Sequence, residues 1–380
     1  MKRRKKKLFT PGPCEIPLSV FKAMGHIEHH RTPQFKQVMQ DIQNGLQYIF
    51  QTNQLVITLC SSGTGAMEAA IVNVFKKNDK VLVVNGGKFG ERWGKIAKNY
   101  GLQVLELSVE WGKAVQVEDI AQVLKKNQDV CGIFIQALET STGVVHPIEE
   151  LAFYLKKLSR KPLLVVDAIS GLLTSALPMD NWGLDVVVAG SQKGLCLPPG
   201  LAFIALSSRA WEMAHVSDVP KYYFNLLVER KCLEQHTTAF STPVTLMLGL
   251  QESLRLLQRQ TLPRILDQYN KMQQLVLKTL TSWGLEIFSF FSSTAVIGVR
   301  APNHIPSQLI IKKLKDDFDI TIANGQEELK DKIFRLSYMG AIQMQDVRFL
   351  LSCLKKVLQD LKVPIGKKRA FQIKNREARL

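Results

Sequence analysis

Two short apolar runs near the middle of the chain each end on residues able to do chemistry. Residues 163–166 deliver an acid, Asp167, and residues 185–189 deliver Gly190-Ser191-Gln192-Lys193. Each run has the length and valine content of a buried strand and stops abruptly in polar or glycine-containing sequence. In open sheets of parallel strands, ligands sit in the crevice beyond the carboxyl ends of the strands. Two such strands would bring Asp167 and Lys193 to one crevice. Five apolar residues run into Asp167, so its carboxylate starts deep in the sheet and needs a cation. Lys193 lies in a turn bounded by Pro198-Pro199-Gly200, where desolvation lowers its proton affinity and makes a nucleophilic amine. The pair suits a ligand that is an aldehyde at one end and a pyridine at the other.

The elements that must position this pair alternate between strand and helix. Residues 55–60 read as a strand and Ser61-Ser62-Gly63-Thr64-Gly65 as a tight turn into a helix over 66–75. Small residues there leave backbone N–H groups uncovered at the positive end of a helix, which describes an anion site and a plain strand–helix turn equally well. Further strands are expected at 80–84, 102–107 and 130–135, with helices between them, and residues 200–206 run back across the sheet. Thr32-Pro33 caps a helix to about Gln51, with Phe35, Val38, Met39, Ile42, Leu46, Ile49 and Phe50 on one face. Beyond it come helices at 243–259 and 262–282, two strands within 285–300, a helix at 306–315, strands at 320–323 and 333–337, and a closing helix at 343–361. The proline-stiffened residues 10–17 read as an extended arm across a surface.

Composition narrows the class. A chain of 380 residues that is 46% apolar can bury a large core and a smaller one. Of the formal charge of +17, residues 2–7 supply six and residues beyond Leu361 a net six more, leaving five for the body. That basicity belongs to solvated ends, which could touch nucleic acid or an acidic membrane without specificity. Six scattered cysteines without a C-x-x-C pair point to reduced thiols and a cytoplasmic setting. The basic start lacks an apolar signal core, and no run approaches a membrane span, so the reading is of a soluble protein. His26, His29 and His30 lack a second ligand set, so no metal is expected.

VVDAIS, GSQKG and PPGLAF together resemble the cofactor core of the class V aminotransferases, and more narrowly the alanine–glyoxylate / serine–pyruvate aminotransferase family. The similarity runs from LFTPGP to about Leu361 in several separate motifs. It implies an α/β fold of the pyridoxal-phosphate-dependent transferase fold type I. That fold has a large domain with a mainly parallel seven-stranded sheet and a small C-terminal α+β domain. The expected divisions are a basic extended arm (1–14), the large domain (15–260), the small domain (261–361) and a basic tail (362–380).

The resemblance also assigns roles. Lys193 would hold pyridoxal 5'-phosphate as a Schiff base and shuttle a proton, with Asp167 at the ring nitrogen. Ser62, Gly63 and Thr64 would bind the phosphate, Ser191 and Gln192 would lie near phosphate and ring, and Thr140 near the ring hydroxyl. Phe89, within a match to N-G-x-F-G-E-R-W, would stack on the ring, with Ile169 on the opposite face. Ser241 would reach the neighbouring subunit's phosphate, implying a homodimer with shared active sites. Arg335, in a segment like K-I-F-R-I-G, would fork onto the substrate carboxylate. His30 and Arg31 stand where the family has Gly-His-Arg, although His29 replaces the glycine. The chain also departs from the pattern at Ser61, at Ala137-Leu138 and at Tyr338. The implied reaction moves an amino group from alanine or serine to glyoxylate or pyruvate by a ping-pong route. A phosphoserine or aminophosphonate transaminase, a cysteine desulfurase and a non-catalytic subunit of the same fold stay open.

Overall fold

The computed structural model describes residues 6–366, and the basic residues 2–5 and 367–380 read above as tails lie outside that range. The strands in chain order are β1 (Lys7–Phe9), β2 (Val56–Leu59), β3 (Lys80–Asn85), β4 (Gln103–Ser108), β5 (Gly132–Gln136), β6 (Leu138–Glu139) and β7 (Val144–Val145). They continue with β8 (Leu163–Asp167), β9 (Val186–Gly190), β10 (Ala202–Leu206), β11 (Val296–Arg300), β12 (Ile320–Asn324) and β13 (Ile333–Ser337). Seven of them form one sheet in the order β2-β10-β9-β8-β5-β3-β4. Every neighbouring pair is parallel except those made by β10, which runs antiparallel to both β2 and β9. This is the mainly parallel seven-stranded sheet that the sequence implied.

The apolar runs explain the centre of the sheet. All residues of β5, β8, β9 and β10 are buried, because helices cover both faces. Each buried Val, Leu or Ile there contributes about 1.5–3 kcal/mol, enough for the sheet to carry a few costly charges at its carboxyl edge. The register sets Gln136 beside Asp167 and Asp167 beside Val188, so the ends of β5, β8 and β9 reach one edge together.

The helix Pro33–Phe50 begins as its sequence indicates: the Thr32 hydroxyl accepts a hydrogen bond from Phe35 N at 3.1 Å. All seven residues of its apolar face are buried. The closing helix is Met344–Asp360.

A second sheet of order β1-β12-β13-β11 holds the C-terminal strands. Two readings change here. Residues 285–300 were expected to give two strands, but only β11 forms. Leu285–Ile287 contributes a single bridge, Ile287 to Val299, before the chain turns away through Phe288-Ser289-Phe290-Phe291-Ser292. The N-terminal segment is not a surface arm. β1 pairs in parallel with β12, Phe9 and Cys14 are buried, and Ala341 N donates to Glu15 O at 3.0 Å. Proline excludes ladder bonding at residues 11, 13 and 17, yet it leaves Lys7-Leu8-Phe9 free to pair on an open sheet edge.

Candidate active site

A cavity of about 250 Å³ opens at the carboxyl ends of β5, β8 and β9. Lys193 and Gln192 enter it from the turn after β9, and Asp167 and Ile169 from the end of β8. Ser62, Gly63 and Thr64 line it from the start of the helix Gly63–Val74, for which Ser62 is the N-cap. Phe89, from the first turn of the helix Lys88–Asn99, and Thr140, after β6, complete the wall. Nine residues singled out from the sequence thus share one cavity. A larger cleft of about 820 Å³ lies elsewhere, lined by His26 from the loop after the helix Leu18–Ala23 and by Asp41 and Arg255 from two helices.

Asp167 is 3% exposed, and its Oδ1 accepts a hydrogen bond from Ile169 N at 2.9 Å. Burial pushes its carboxyl up to about 7, and the neighbouring Glu139 charge pushes the same way. The Ile169 N–H and the cations Lys193 and Arg92 act against that rise. Lys193 is 8% exposed, and burial brings its amine down to about 8. The charges of Arg335 and Arg92 also favour the neutral amine, while Cys14 and Asp167 oppose them. Burial thus moves the acid up and the amine down, both toward neutrality, the direction that favours proton exchange.

The N-terminal segment closes over this lysine. Lys193 Nζ donates to the Pro11 carbonyl, and Cys14 Sγ donates to the Lys193 carbonyl at 3.0 Å. Gly12 has φ +115°, and a Cβ there would stand 2.7 Å from Lys193 Nζ. Only glycine fits both the backbone angle and the space. Gly63 is held to the same rule by contact, since its Cβ would lie 2.5 Å from the Ile169 side chain.

Arg335 is buried in the middle of β13. Its Nε donates to Asn324 O at 2.9 Å and its Nη1 to Thr140 O at 2.8 Å. These partners are neutral carbonyls, and burial brings the guanidinium down to about 10, with Glu139 opposing. Thr140 joins it to the cavity, because the Thr140 hydroxyl donates to Ser170 Oγ at 2.7 Å inside the same wall.

Arg335 is not in the cavity lining itself, and Ser191, Ser241, His30 and Arg31 also fall outside it. The Ser191 hydroxyl is spent on the turn, donating to Pro198 O at 2.6 Å and accepting from Leu201 N at 3.2 Å. Ser241 lies in a separate cleft with Cys60, Tyr223 and Phe240, and is exposed. His29 and His30 stack on each other with centroids 5.0 Å apart, away from the cavity lining.

Two residues went unremarked in the sequence. Arg92 lines the cavity, donates to Thr64 Oγ1 at 3.1 Å and lies over the Phe89 ring at 4.8 Å. Glu139 is fully buried and takes hydrogen bonds from the backbone of Phe89 and Gly90. Arg92 follows Phe89 by three residues on one helix, and that spacing was the available signal.

A sheet edge presenting a buried lysine of lowered proton affinity, a buried acid and a helix N-terminus defines an enzyme of the pyridoxal-phosphate-dependent α/β class. The chain belongs to the class V aminotransferases, whose family model matches residues 12–348. The "soluble hydrogenase, small subunit" of Synechococcus sp. (strain PCC 6716) is 36% identical over 361 residues, covering 94% of each chain. The L-aspartate–glyoxylate aminotransferase of Paracoccus denitrificans (strain Pd 1222) is 28% identical, over 94% of this chain and 92% of its own. A solved alanine–glyoxylate aminotransferase from Nostoc sp. superposes with a TM-score of 0.89 at 28% identity, covering 94% of this chain and 96% of that one. The family is pyridoxal-phosphate-dependent, and this cavity fits the cofactor. Asp167 is a buried acid in need of a cation, and Gln192 Oε1 is buried there without a partner. No helix among the described residues is long and apolar enough to cross a membrane.

Proposed function

We propose that this aminotransferase takes the amino group from a small amino acid, alanine or serine, and passes it to glyoxylate or pyruvate. The observation that carries the reading is the shared cavity of Lys193 and Asp167, with the buried Arg335 fork held to its wall through Thr140. The small volume and the L-aspartate–glyoxylate and alanine–glyoxylate relatives support small substrates.

Pyridoxal phosphate, when bound, supplies the electron sink for charge developing at the substrate Cα. The residues do the rest. Ser62, Gly63 and Thr64 would hold the phosphate at the helix N-terminus, where the backbone dipole favours an anion. Phe89 and Ile169 would enclose the ring, Thr140 and Gln192 would contact its edge, and Asp167 would pair with the pyridine nitrogen and favour its protonated form. Arg335 binds the substrate carboxylate through two parallel hydrogen bonds, which orients Cα toward Lys193. Lys193 Nζ would hold the cofactor aldehyde, and its free amine would take the Cα proton and return it. Its lowered proton affinity suits both tasks.

The reading includes a homodimer. Ser241 is exposed and outside the cavity of its own chain, in a cleft it shares with the exposed aromatic Tyr223, which suits a position facing a second copy.

Half-reaction spectroscopy tests the proposal. The purified holoprotein is mixed in turn with alanine, serine, aspartate, cysteine and phosphoserine, with no acceptor present. Alanine or serine is expected to convert the visible aldehyde band to the amine form, and glyoxylate or pyruvate to restore it. Conversion by aspartate or phosphoserine alone would overturn the donor assignment, and sulfide release from cysteine would overturn the reaction. Sedimentation at several concentrations tests the dimer, which a monomer at working concentration would rule out.

A further inference from the structure

The helix Lys88–Asn99 has no cap of its own. Its N-cap is Gly87, which lacks a side chain, and yet its first turn carries the ring of Phe89 into the cavity. The first N–H groups of a helix need acceptors, normally a Ser, Thr, Asp or Asn at the N-cap. Here the acceptors come from about fifty residues away. Glu139 Oε2 accepts from Phe89 N at 3.0 Å and from Gly90 N at 3.1 Å. The Ser141 hydroxyl accepts from Lys88 N at 3.1 Å and donates to Glu139 Oε1 at 2.5 Å. Ser141 N also donates to Glu139 Oε1, at 3.0 Å.

Both carboxylate oxygens face donors only, and these hydrogen bonds favour the anion against the burial that pushes the carboxyl up. An anion at a helix N-terminus is further favoured by the backbone dipole. The contact is close, since a Cβ added at Gly87 would stand 2.6 Å from Glu139 Cδ. A buried carboxylate is costly to maintain, so its placement on this helix calls for a use.

We propose that Glu139 is a positioning residue for the cofactor: with Ser141 it caps the helix from a distance and fixes the plane of the Phe89 ring. The inference rests on the stacking role given to Phe89 above. The same loop serves the other side of the cavity, because the carbonyl of Thr140, between the two capping residues, accepts from Arg335 at 2.8 Å. Ring stack and carboxylate fork are therefore set by three consecutive residues.

A double-mutant cycle on the apo form tests this, reading affinity for pyridoxal 5'-phosphate by absorbance titration. Glu139→Gln keeps one oxygen for two donors and turns an amide N–H₂ toward the others. It is expected to weaken binding by about tenfold, the equivalent of roughly one lost charge-assisted hydrogen bond. Phe89→Leu is expected to weaken it by a similar factor. If Glu139 acts through Phe89, the double variant binds no more weakly than about the weaker single one. Multiplied losses, or full affinity in Glu139→Gln, would overturn the inference. Full affinity in Phe89→Leu would overturn the stacking reading and the inference with it. Should Glu139→Gln not fold, Ser141→Ala enters the same cycle. It keeps the carboxylate and removes the hydroxyl link to Lys88, with about a threefold loss expected and none in the Phe89→Leu background; an undiminished loss there refutes the coupling.

Discussion

Replacing Asp167 by Asn should make the apo protein more stable while stopping its chemistry, and the gain should depend on pH in a defined direction. The folded carboxyl is raised from the usual 3.8 to about 7, chiefly by burial. Below 3.8 it is protonated in both folded and unfolded chains and costs nothing. Between 3.8 and about 7 the unfolded chain ionises first, so stability falls as pH rises. Above about 7 both forms are ionised and the full cost is present. At ~1.4 kcal/mol for each pH unit, the cost reaches about 4 kcal/mol, and local relaxation brings the expected range to about 2–4 kcal/mol. Asn has the same shape and keeps an oxygen for the Ile169 N–H, so it removes the charge alone. Urea unfolding of both apo proteins from pH 4 to 8.5, at one protein concentration, gives the difference directly. It should be near zero at pH 4, climb through pH 5–7 and level off above. A difference that does not change with pH, or an Asn variant that is less stable at pH 8, would refute the argument that Asp167 is a charge held at a cost.

Other outcomes follow from the same cavity. Reconstitution of the apo form with pyridoxal 5'-phosphate should accelerate with pH through about 8, where Lys193 loses its proton, and not through the usual 10.5; stopped-flow absorbance checks this. Arg335→Lys replaces a fork by a point charge and should raise KM for the amino donor by about 10–100-fold, leaving cofactor affinity within about twofold. Gly12→Ala forces a Cβ to 2.7 Å from Lys193 at a backbone angle that alanine resists, and should slow cofactor attachment by more than about tenfold in a protein whose circular dichroism is unchanged.

What could be read from the sequence followed how local the controlling physics is. β8 and β9 announce themselves as continuous apolar runs because both faces of the sheet are covered, and the residues that end them are chemical by type. The Thr32-Pro33 start of the helix Pro33–Phe50 is equally local. The long-range partners were not legible. Nothing in residues 10–17 says that they close over Lys193, because that position is fixed by β1 pairing with β12, more than three hundred residues away. The second strand expected within 285–300 failed for a related reason. Its apolar residues exist, but the chain turns away from β11 after Ile287, so only one bridge to Val299 forms. Ser191 misled by adjacency, since the residue beside a catalytic lysine can be spent on holding its turn.

The cavity also shows why site and fold pull against each other in this chain. Asp167, Lys193 and Arg335 are all buried, and burial disfavours the charged form of each. Removing the charge of Asp167 or Lys193 should relieve the folded state, so the fold alone gives no reason to place those two there. Arg335 also serves the fold, through its bonds to Asn324 O and Thr140 O. Each stands where an incoming group of complementary charge or reactivity would meet it: a pyridine nitrogen at Asp167, an aldehyde at Lys193, a carboxylate at Arg335. Ligand binding then supplies the stabilisation that the sheet edge lacks, and the same linkage makes bound cofactor raise the unfolding free energy. Glu139 is buried too, and burial pushes its carboxyl up, but here the protein itself supplies the opposing donors. Its four donors and the helix N-terminus satisfy it within the protein, so its loss should weaken the fold even without cofactor. The sign of the stability change in the apo protein therefore separates residues set to meet a ligand from those that hold them in place.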